Sequence, residues 1–336
     1  MDRGYIGLCY HYIRSHEDIQ NVPRILGHTE EVLAEQCRRM KESFHMVTPL
    51  EACGFSYKKP DVGDDRYGVL VTFDDGLRDH YRAAEILADH GIRGCFFIPT
   101  CVLKEKLPAN PNIIHYGLAL YGVGQFLNFF DAAIEHFSLD TSRYKIVFVK
   151  GKTKVWDVIG KIKQTFKYGL DTHTARRVLV FIYQEFMLKD YPDLLTEIHL
   201  TDGQIKAMLA MRHAIGSHSH SHVSIASSAL SEEDFHLEMV ESKVFLEKKF
   251  GISVDAMSYP FGEEKDCLSS VKLLKKTSQY KLAFTIKPII NKRDTNPLEL
   301  GRYMLESRDD APVLMERLKM IISKEELPHA RGPVYK

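Results

Sequence analysis

The chain has 336 residues, 44% hydrophobic and 27% charged, enough apolar material for a large core and too much for a disordered chain. Lysine plus arginine equals aspartate plus glutamate at 45 each, so the overall charge points to neither nucleic acid nor an anionic membrane. Six scattered cysteines without a CxxC pair read as reduced thiols; no apolar run approaches the ~18 residues of a membrane span, no signal-peptide stretch opens the chain, and the expected location is cytoplasmic.

Residues 4–13 read as a first strand. Thr29 to Phe44 places Val32, Leu33, Cys37 and Met40 on one face and predicts an amphipathic helix. Gly68 to Phe73 is a short, β-branched apolar run, the pattern of a strand buried on both faces. It ends in Asp74 and Asp75, whose side chains leave in different directions because Cβ atoms alternate along a strand. Gly76 permits a sharp turn into a helix with Tyr81, Ala84, Leu87 and Ala88 on one side, closed by Gly91. A third apolar run, Gly94 to Ile98, ends at Pro99. Strand, helix, strand in this rhythm predicts a parallel sheet or barrel, whose chemistry sits at the C-terminal strand ends. The plainer account of the aspartate pair is a helix cap beside a solvated neighbour.

From about 101 to 200 helical periodicity replaces the sheet rhythm. This is read as a helical insertion within one domain spanning 1–325, followed by a loosely held tail at 326–336. Lys150, Lys152, Lys154, Lys161, Lys163 and Lys167 are read as a solvated face. Thr201-Asp-Gly-Gln204 is a capping box that opens a helix through Met211. Ala214 to Gly216 is a short apolar segment, and Ser231 caps a helix carrying Phe235, Met239, Leu246 and Phe250 until Gly251 stops it. Leu282 to Ile286 and Leu300 to Leu305 follow, and a last helix runs from Pro312 to Ile322.

His218 and His222 are four residues apart, so on a helical turn they face one way and can bind one ion. With Asp75 they would make a two-histidine, one-carboxylate site that leaves positions open for water and substrate. Such an ion lowers the pKa of water or polarises a carbonyl, and Asp74 would stand beside that water as general base. A solvated or pH-sensitive histidine loop is the alternative. The same ligand set also suits non-haem iron, although Asp74 would then have no task.

Thr72-Phe-Asp-Asp-Gly76 followed by His218-Ser-His-Ser-His222 resembles the first two motifs of the NodB-homology polysaccharide deacetylases, carbohydrate esterase family four, written TFDDG and H-S/T-x-x-H. Ser258-Tyr-Pro-Phe-Gly262 and the opening Cys9-Tyr-His-Tyr12 are similar to the poly-N-acetylglucosamine deacetylase-like branch. The resemblance spans residues 4–100 and 200–305. It implies an α/β fold, a distorted (β/α) barrel with fewer than eight strands, here carrying the helical insertion. It implies removal of an N-acetyl (or N-formyl) group from an amino sugar or sugar conjugate; the cytoplasmic expectation suits a step of surface-glycan biosynthesis. It implies a divalent metal, zinc first, with cobalt, nickel, manganese or iron as alternatives. Asp75, His218 and His222 would bind that metal, Asp74 would be the base, and Tyr259, Pro260 and Phe261 would shape the groove wall.

Many members open the third motif with an arginine that holds the catalytic aspartate, where Ser258 stands here. Arg302 is the candidate replacement, because a guanidinium offers a carboxylate a rigid fork; an ordinary surface arginine is the alternative. The family's Leu-x-His motif, whose histidine protonates the leaving amine, has no match beyond His236 other than His329 in the tail. The general acid is therefore unassigned, with His11 and His115 read as structural histidines. The rival to an enzyme is an inactive carbohydrate-binding barrel that retains the metal site. The insertion is expected to act as lid, specificity element or homo-oligomer contact.

Overall fold

Seven short parallel strands, each ending near the same rim, set the architecture of the computed structural model, which describes residues 3–53, 66–277 and 280–326. They are β1 (Tyr5–Tyr10), β2 (Gly68–Phe73), β3 (Cys95–Ile98), β4 (Ala214–Ser217), β5 (Ala256–Ser258), β6 (Leu282–Phe284) and β7 (Arg302–Met304). Pairing runs in sequence order from β1 to β6, parallel throughout. β7 pairs in parallel with β1, and a parallel bridge from Phe284 to Leu300 joins β6 to the segment entering β7. The sheet thus curls until its ends meet, a distorted (β/α) barrel of these seven strands, to which two-residue strands add, His45–Met46 parallel to β2 and Ile290–Asn291 antiparallel to β1. Every residue of β1 and β2 is buried, as expected of parallel strands covered on both faces.

Helices return the chain between strands, and their caps follow the local sequence. Thr29 accepts from the Val32 N–H to open Glu30–Ser43, and Thr201 and Gln204 form a reciprocal capping box at Asp202–Ala210. Leu33, Met40, Leu87, Phe96, Met208 and Leu246 are all buried in one core between these helices and the sheet. Each such side chain contributes roughly 1.5–3 kcal/mol of transfer free energy. The first strand is shorter than its apolar run: it ends at Tyr10, and Ile13–Arg14 pairs separately with His28–Thr29.

Between β3 and β4 lie the helices Asn110–His136, Val155–Gln164 and Thr172–Ile182, with shorter pieces between them. They bury a second core of their own, including Phe126, Phe130, Ile162, Val178 and Leu179, which also takes in Leu77 from the barrel. The long helix breaks at Gly122, whose φ of 77° and ψ of 168° interrupt it. Five cysteines (Cys9, Cys37, Cys95, Cys101 and Cys267) are free and buried. Among the described residues no helix is long and apolar enough to cross a membrane. The tail expected at 326–336 lies, beyond Glu326, outside the described residues.

Candidate active site

Asp74 and Asp75 follow the last residue of β2, and both are buried. Asp75 has a φ of 81° and Gly76 of 57°. A non-glycine residue in that region is strained and persists only where its surroundings hold it. Those surroundings are visible: the Gly76 carbonyl accepts from the Leu200 N–H at 3.0 Å and from His199 Nδ1 at 3.2 Å. His80 Nδ1 accepts from the Leu77 N–H at 3.2 Å, while its Nε2 donates to the His11 carbonyl at 2.9 Å. A Cβ on Gly76 would press on Ile98 and Pro99 at 3.1 and 3.3 Å. The left-handed pair turns Asp75 away from Asp74, which produces the divergence the strand alternation led us to expect.

His218 and His222 lie in the loop that follows β4, not on a helix. Their expected helical register is corrected by the backbone: Ser219 and His222 adopt φ values of 61° and 64°, and these left-handed residues fold the loop so that both imidazoles meet. The buried Glu238 carboxylate holds the loop, accepting from the His220 and Ser221 N–H groups at 2.9 Å each. His220, also buried, bonds instead to Thr100 Oγ1 at 2.9 Å and Glu105 at 2.8 Å. Sequence reasoning missed Glu238, and nothing in its helical surroundings distinguishes it from a surface acid.

Asp75 Oδ1 lies 3.3 Å from His218 Nε2 and 3.2 Å from His222 Nε2. It is buried and accepts no hydrogen bond. Ligand bonds of about 2.0–2.1 Å at tetrahedral angles put neighbouring donor atoms roughly 3.3 Å apart, so the three atoms are spaced to share an ion. His218 Nδ1 donates to the Ser258 carbonyl at 2.9 Å, which leaves its Nε2 lone pair free for a ligand bond. Burial opposes charge on His218, but the Asp74 and Asp75 carboxylates outweigh it and hold its pKa up, whereas burial prevails at His222 and lowers it. The donor set therefore fits a divalent cation.

Asp74 belongs to a different network. Its two oxygens accept from the two terminal nitrogens of Arg302 at 2.8 Å each. Oδ2 also accepts from Ser258 Oγ at 2.9 Å and from the Cys9 thiol at 3.3 Å. Arg302 is fully buried, which removes the surface-arginine alternative. It also donates to Thr72 Oγ1 at 2.9 Å, the Thr285 carbonyl at 3.0 Å and Ser258 Oγ at 2.7 Å. Gly7 makes room for it, since a Cβ there would meet Arg302 Cγ at 2.7 Å. Burial pushes the Asp74 pKa up, but the Arg302 charge and hydrogen bonds override that and hold the carboxyl well below its ordinary range. Asp74 is ionised and held in one orientation.

A cavity of about 600 Å³ opens over these groups. Asp74, Asp75, His218 and His222 face it from the barrel, joined by His11. His11 was read as a structural histidine and instead lies half-buried on the cavity wall, its ring within 4.8 Å of ligand atoms of both Asp74 and Cys9. The early end of β1 places it there. His115 also lines the cavity and hydrogen-bonds to the Tyr12 hydroxyl at 3.2 Å; burial lowers its pKa to about 3. Of the expected groove wall, Phe261 lines the cavity, with its ring 4.7 Å from that of His222. Pro260 is buried and outside the cavity lining. Tyr259 is a correction: it points into the core and donates to the Leu298 carbonyl at 3.0 Å, because β5 alternation sends it opposite to Ser258.

The insertion forms the opposite wall. Lys163 and Lys167, expected on a solvated face, both line the cavity. Lys167 lies 3.0 Å from Asp266 and 3.9 Å above the Phe261 ring. Asp266 is fully buried and also accepts from Tyr168 at 3.0 Å and from Ser224, so it ties the insertion to the histidine loop's side of the barrel.

Residues 170–282 match the polysaccharide deacetylase family model. The match contains His218, His222 and Ser258 and begins beyond Asp74 and Asp75. Similar solved structures include the Streptococcus pyogenes deacetylase PplD in complex with acetate, at 16% identity and TM-score 0.56, covering 94% of this chain and 99% of that chain. IcaB from Ammonifex degensii follows at 18% and 0.51, covering 94% and 97%. A de-N-acetylase from Aggregatibacter actinomycetemcomitans matches at 13% and 0.53, covering 93% and 99%. At such identities the structural likeness establishes the fold. None of the curated proteins matches the chain. The family that the motifs resemble is the family whose model matches.

Proposed function

We propose that this chain, a polysaccharide deacetylase relative by family match and by fold, is a metal-dependent hydrolase that removes the N-acetyl (or N-formyl) group of an amino sugar. The observation that carries the reading is the division of labour between adjacent carboxylates. Asp75 is left free to join two imidazoles, and Asp74 is locked to Arg302 on the same cavity wall.

Asp75, His218 and His222 would hold a divalent ion, zinc first by its preference for nitrogen and oxygen donors in tetrahedral sites. Such an ion polarises an acyl carbonyl and brings the pKa of water towards neutrality. The residues of the chain do the rest. Asp74, kept ionised and aimed by Arg302, accepts the proton of the attacking water. His11, beside Asp74 on the cavity wall, would donate a proton to the departing amine. Phe261 and His115 supply apolar and polar wall to the sugar. The Ser258 carbonyl orients the His218 imidazole, and Glu238 holds the backbone of the loop that carries both histidines.

The chain is one barrel domain with the insertion as the cavity's second wall, and its buried free thiols suit a reducing compartment. A sugar intermediate of surface-glycan biosynthesis is the substrate class this favours. The test is acetate and formate release from free and carrier-linked N-acyl amino sugars, comparing metal-loaded wild type with Asp74→Asn. Release by wild type alone supports the hydrolase. A protein that binds one ion and a sugar but releases nothing would make it a binding barrel.

A further inference from the structure

Global neutrality conceals a local concentration of charge. Between residues 145 and 161 stand five lysines (Lys145, Lys150, Lys152, Lys154 and Lys161) against one acid, Asp157. All five lysines are exposed, and among the described residues none forms an ion pair. Interleaved with them are the side chains a water-facing surface ordinarily avoids. Trp156 is 74% exposed and Val147 62%, with Val155 and Val149 at 46% and 44%.

The local structure explains how they come to point outward. Residues 145–149 alternate, with Ile146 and Phe148 packed against the insertion core and Val147 and Val149 facing out. The outward positions of such a segment are normally polar. A tight turn follows: the Val149 carbonyl accepts from the Lys152 and Thr153 N–H groups at 3.0 and 2.9 Å. Its rim is basic. The helix Val155–Gln164 then buries Val158 and Ile162 and leaves Val155 and Trp156 outside.

We propose that this segment docks on an anionic phospholipid surface. Lysines flanking exposed tryptophan and aliphatic side chains match that surface layer by layer, with charge at the headgroups and the indole and valines at the acyl boundary. A nucleic acid would use successive aromatic platforms, and the valines would have no partner there. A second copy is disfavoured by charge, since a self-complementary contact brings two sets of unpaired lysines together. Eight residues of helix separate Trp156 from Gln164 on the cavity wall, roughly 12 Å. Docking would therefore hold the cavity near the membrane, and, resting on the proposed hydrolase reading, an amino sugar on a lipid carrier is the substrate this placement suits.

Trp156 is the chain's single tryptophan, so its fluorescence reports the event directly. The full chain would be mixed with vesicles of phosphatidylcholine alone or with added phosphatidylglycerol. The expected result is a blue-shifted emission and co-sedimentation with the anionic vesicles only, weakened by salt. The combined variant Lys150→Glu, Lys152→Glu, Lys154→Glu should lose roughly a hundredfold or more in partitioning. Because these side chains are exposed, its thermal unfolding should match the wild type. No shift with anionic vesicles, or equal partitioning of the variant, overturns the proposal. So does quenching by single-stranded oligonucleotide without vesicle binding, or a dimer that dissociates on Trp156→Ala. None of these readouts depends on the hydrolase activity.

Discussion

Arg302 and Asp74 are 228 residues apart in the chain and share two parallel hydrogen bonds of 2.8 Å with no solvent between them. Arg302 reaches Asp74 from the last barrel strand, at the place where it was expected as a candidate partner for that carboxylate. Ser258 itself completes the arrangement, accepting from Arg302 and donating to Asp74. Arg302→Met would leave a buried carboxylate unpaired, so we expect a stability loss of about 3–5 kcal/mol and a fall in turnover of roughly a hundredfold or more. Arg302→Lys keeps the charge without the fork and should fall between. Denaturant unfolding and turnover measured together test this; a Met variant with wild-type turnover would remove Arg302 from the mechanism.

Asp74→Asn should leave the ion site intact and slow the reaction severely. Metal content after dialysis should match the wild type, because Asp75 and the two histidines are untouched. Turnover should fall by about two to four orders of magnitude, the usual contribution of a general base. Appreciable remaining activity would mean that another group takes the proton.

Asp75→Ala and His218→Ala should each lose the ion. Added zinc should raise the melting temperature of the wild type, since a ligand that binds only the folded state stabilises it by mass action. Neither variant should respond at the same concentration. An equal zinc-dependent rise in Asp75→Ala would show that the ion sits elsewhere.

Glu238→Gln should weaken ion binding without touching the ion's ligands. The carboxylate accepts the two N–H groups that shape the His218–His222 loop. Supporting groups of this kind typically alter affinity by about 10–100-fold. At saturating metal, turnover should recover; a zinc titration identical to that of the wild type would show that the loop holds itself.

Acid should destabilise the protein through histidines outside the site. Burial lowers the pKa of His80 and of His199 from 6.5 to about 4. Between those values the unfolded chain binds more protons than the folded one, so stability rises with pH across the window and is lost as pH falls through it. Above about 6.5 both states are neutral and the effect is flat. Each group accounts for roughly 3 kcal/mol at 1.36 kcal/mol per pKa unit. Chelated protein unfolded in urea at a series of pH values should show this slope, shallower in His80→Gln. An unchanged slope would show that His80 is protonated in the folded state.

The strands and helices were legible because burial leaves a periodic trace. Gly68–Phe73 is apolar except at Thr72 and lies buried at every position, and Thr201 and Ser231 cap the helices they were expected to cap. The aspartate pair and the histidines were legible as residue types at motif spacing. Their geometry was not, for His218 and His222 converge through left-handed backbone at Ser219 and His222 rather than through a helical turn.

What the sequence determined by itself was therefore local: which segments form strands, which helices are capped, which residues could bind an ion. Tertiary structure alone decided the partners. Arg302 reached Asp74 only because β7 closes the barrel beside β1, a pairing across nearly the whole chain that no periodicity encodes. Glu238 and Asp266 look like surface acids until the fold buries them against N–H and hydroxyl donors. Lys163 and Lys167 took the cavity wall while Lys150, Lys152 and Lys154 kept to solvent, although all five read alike in sequence. The physical reason is common to all of these. Apolar burial is set by repeating patterns within a segment, whereas the environment of a charged group is set by whatever distant segment packs against it.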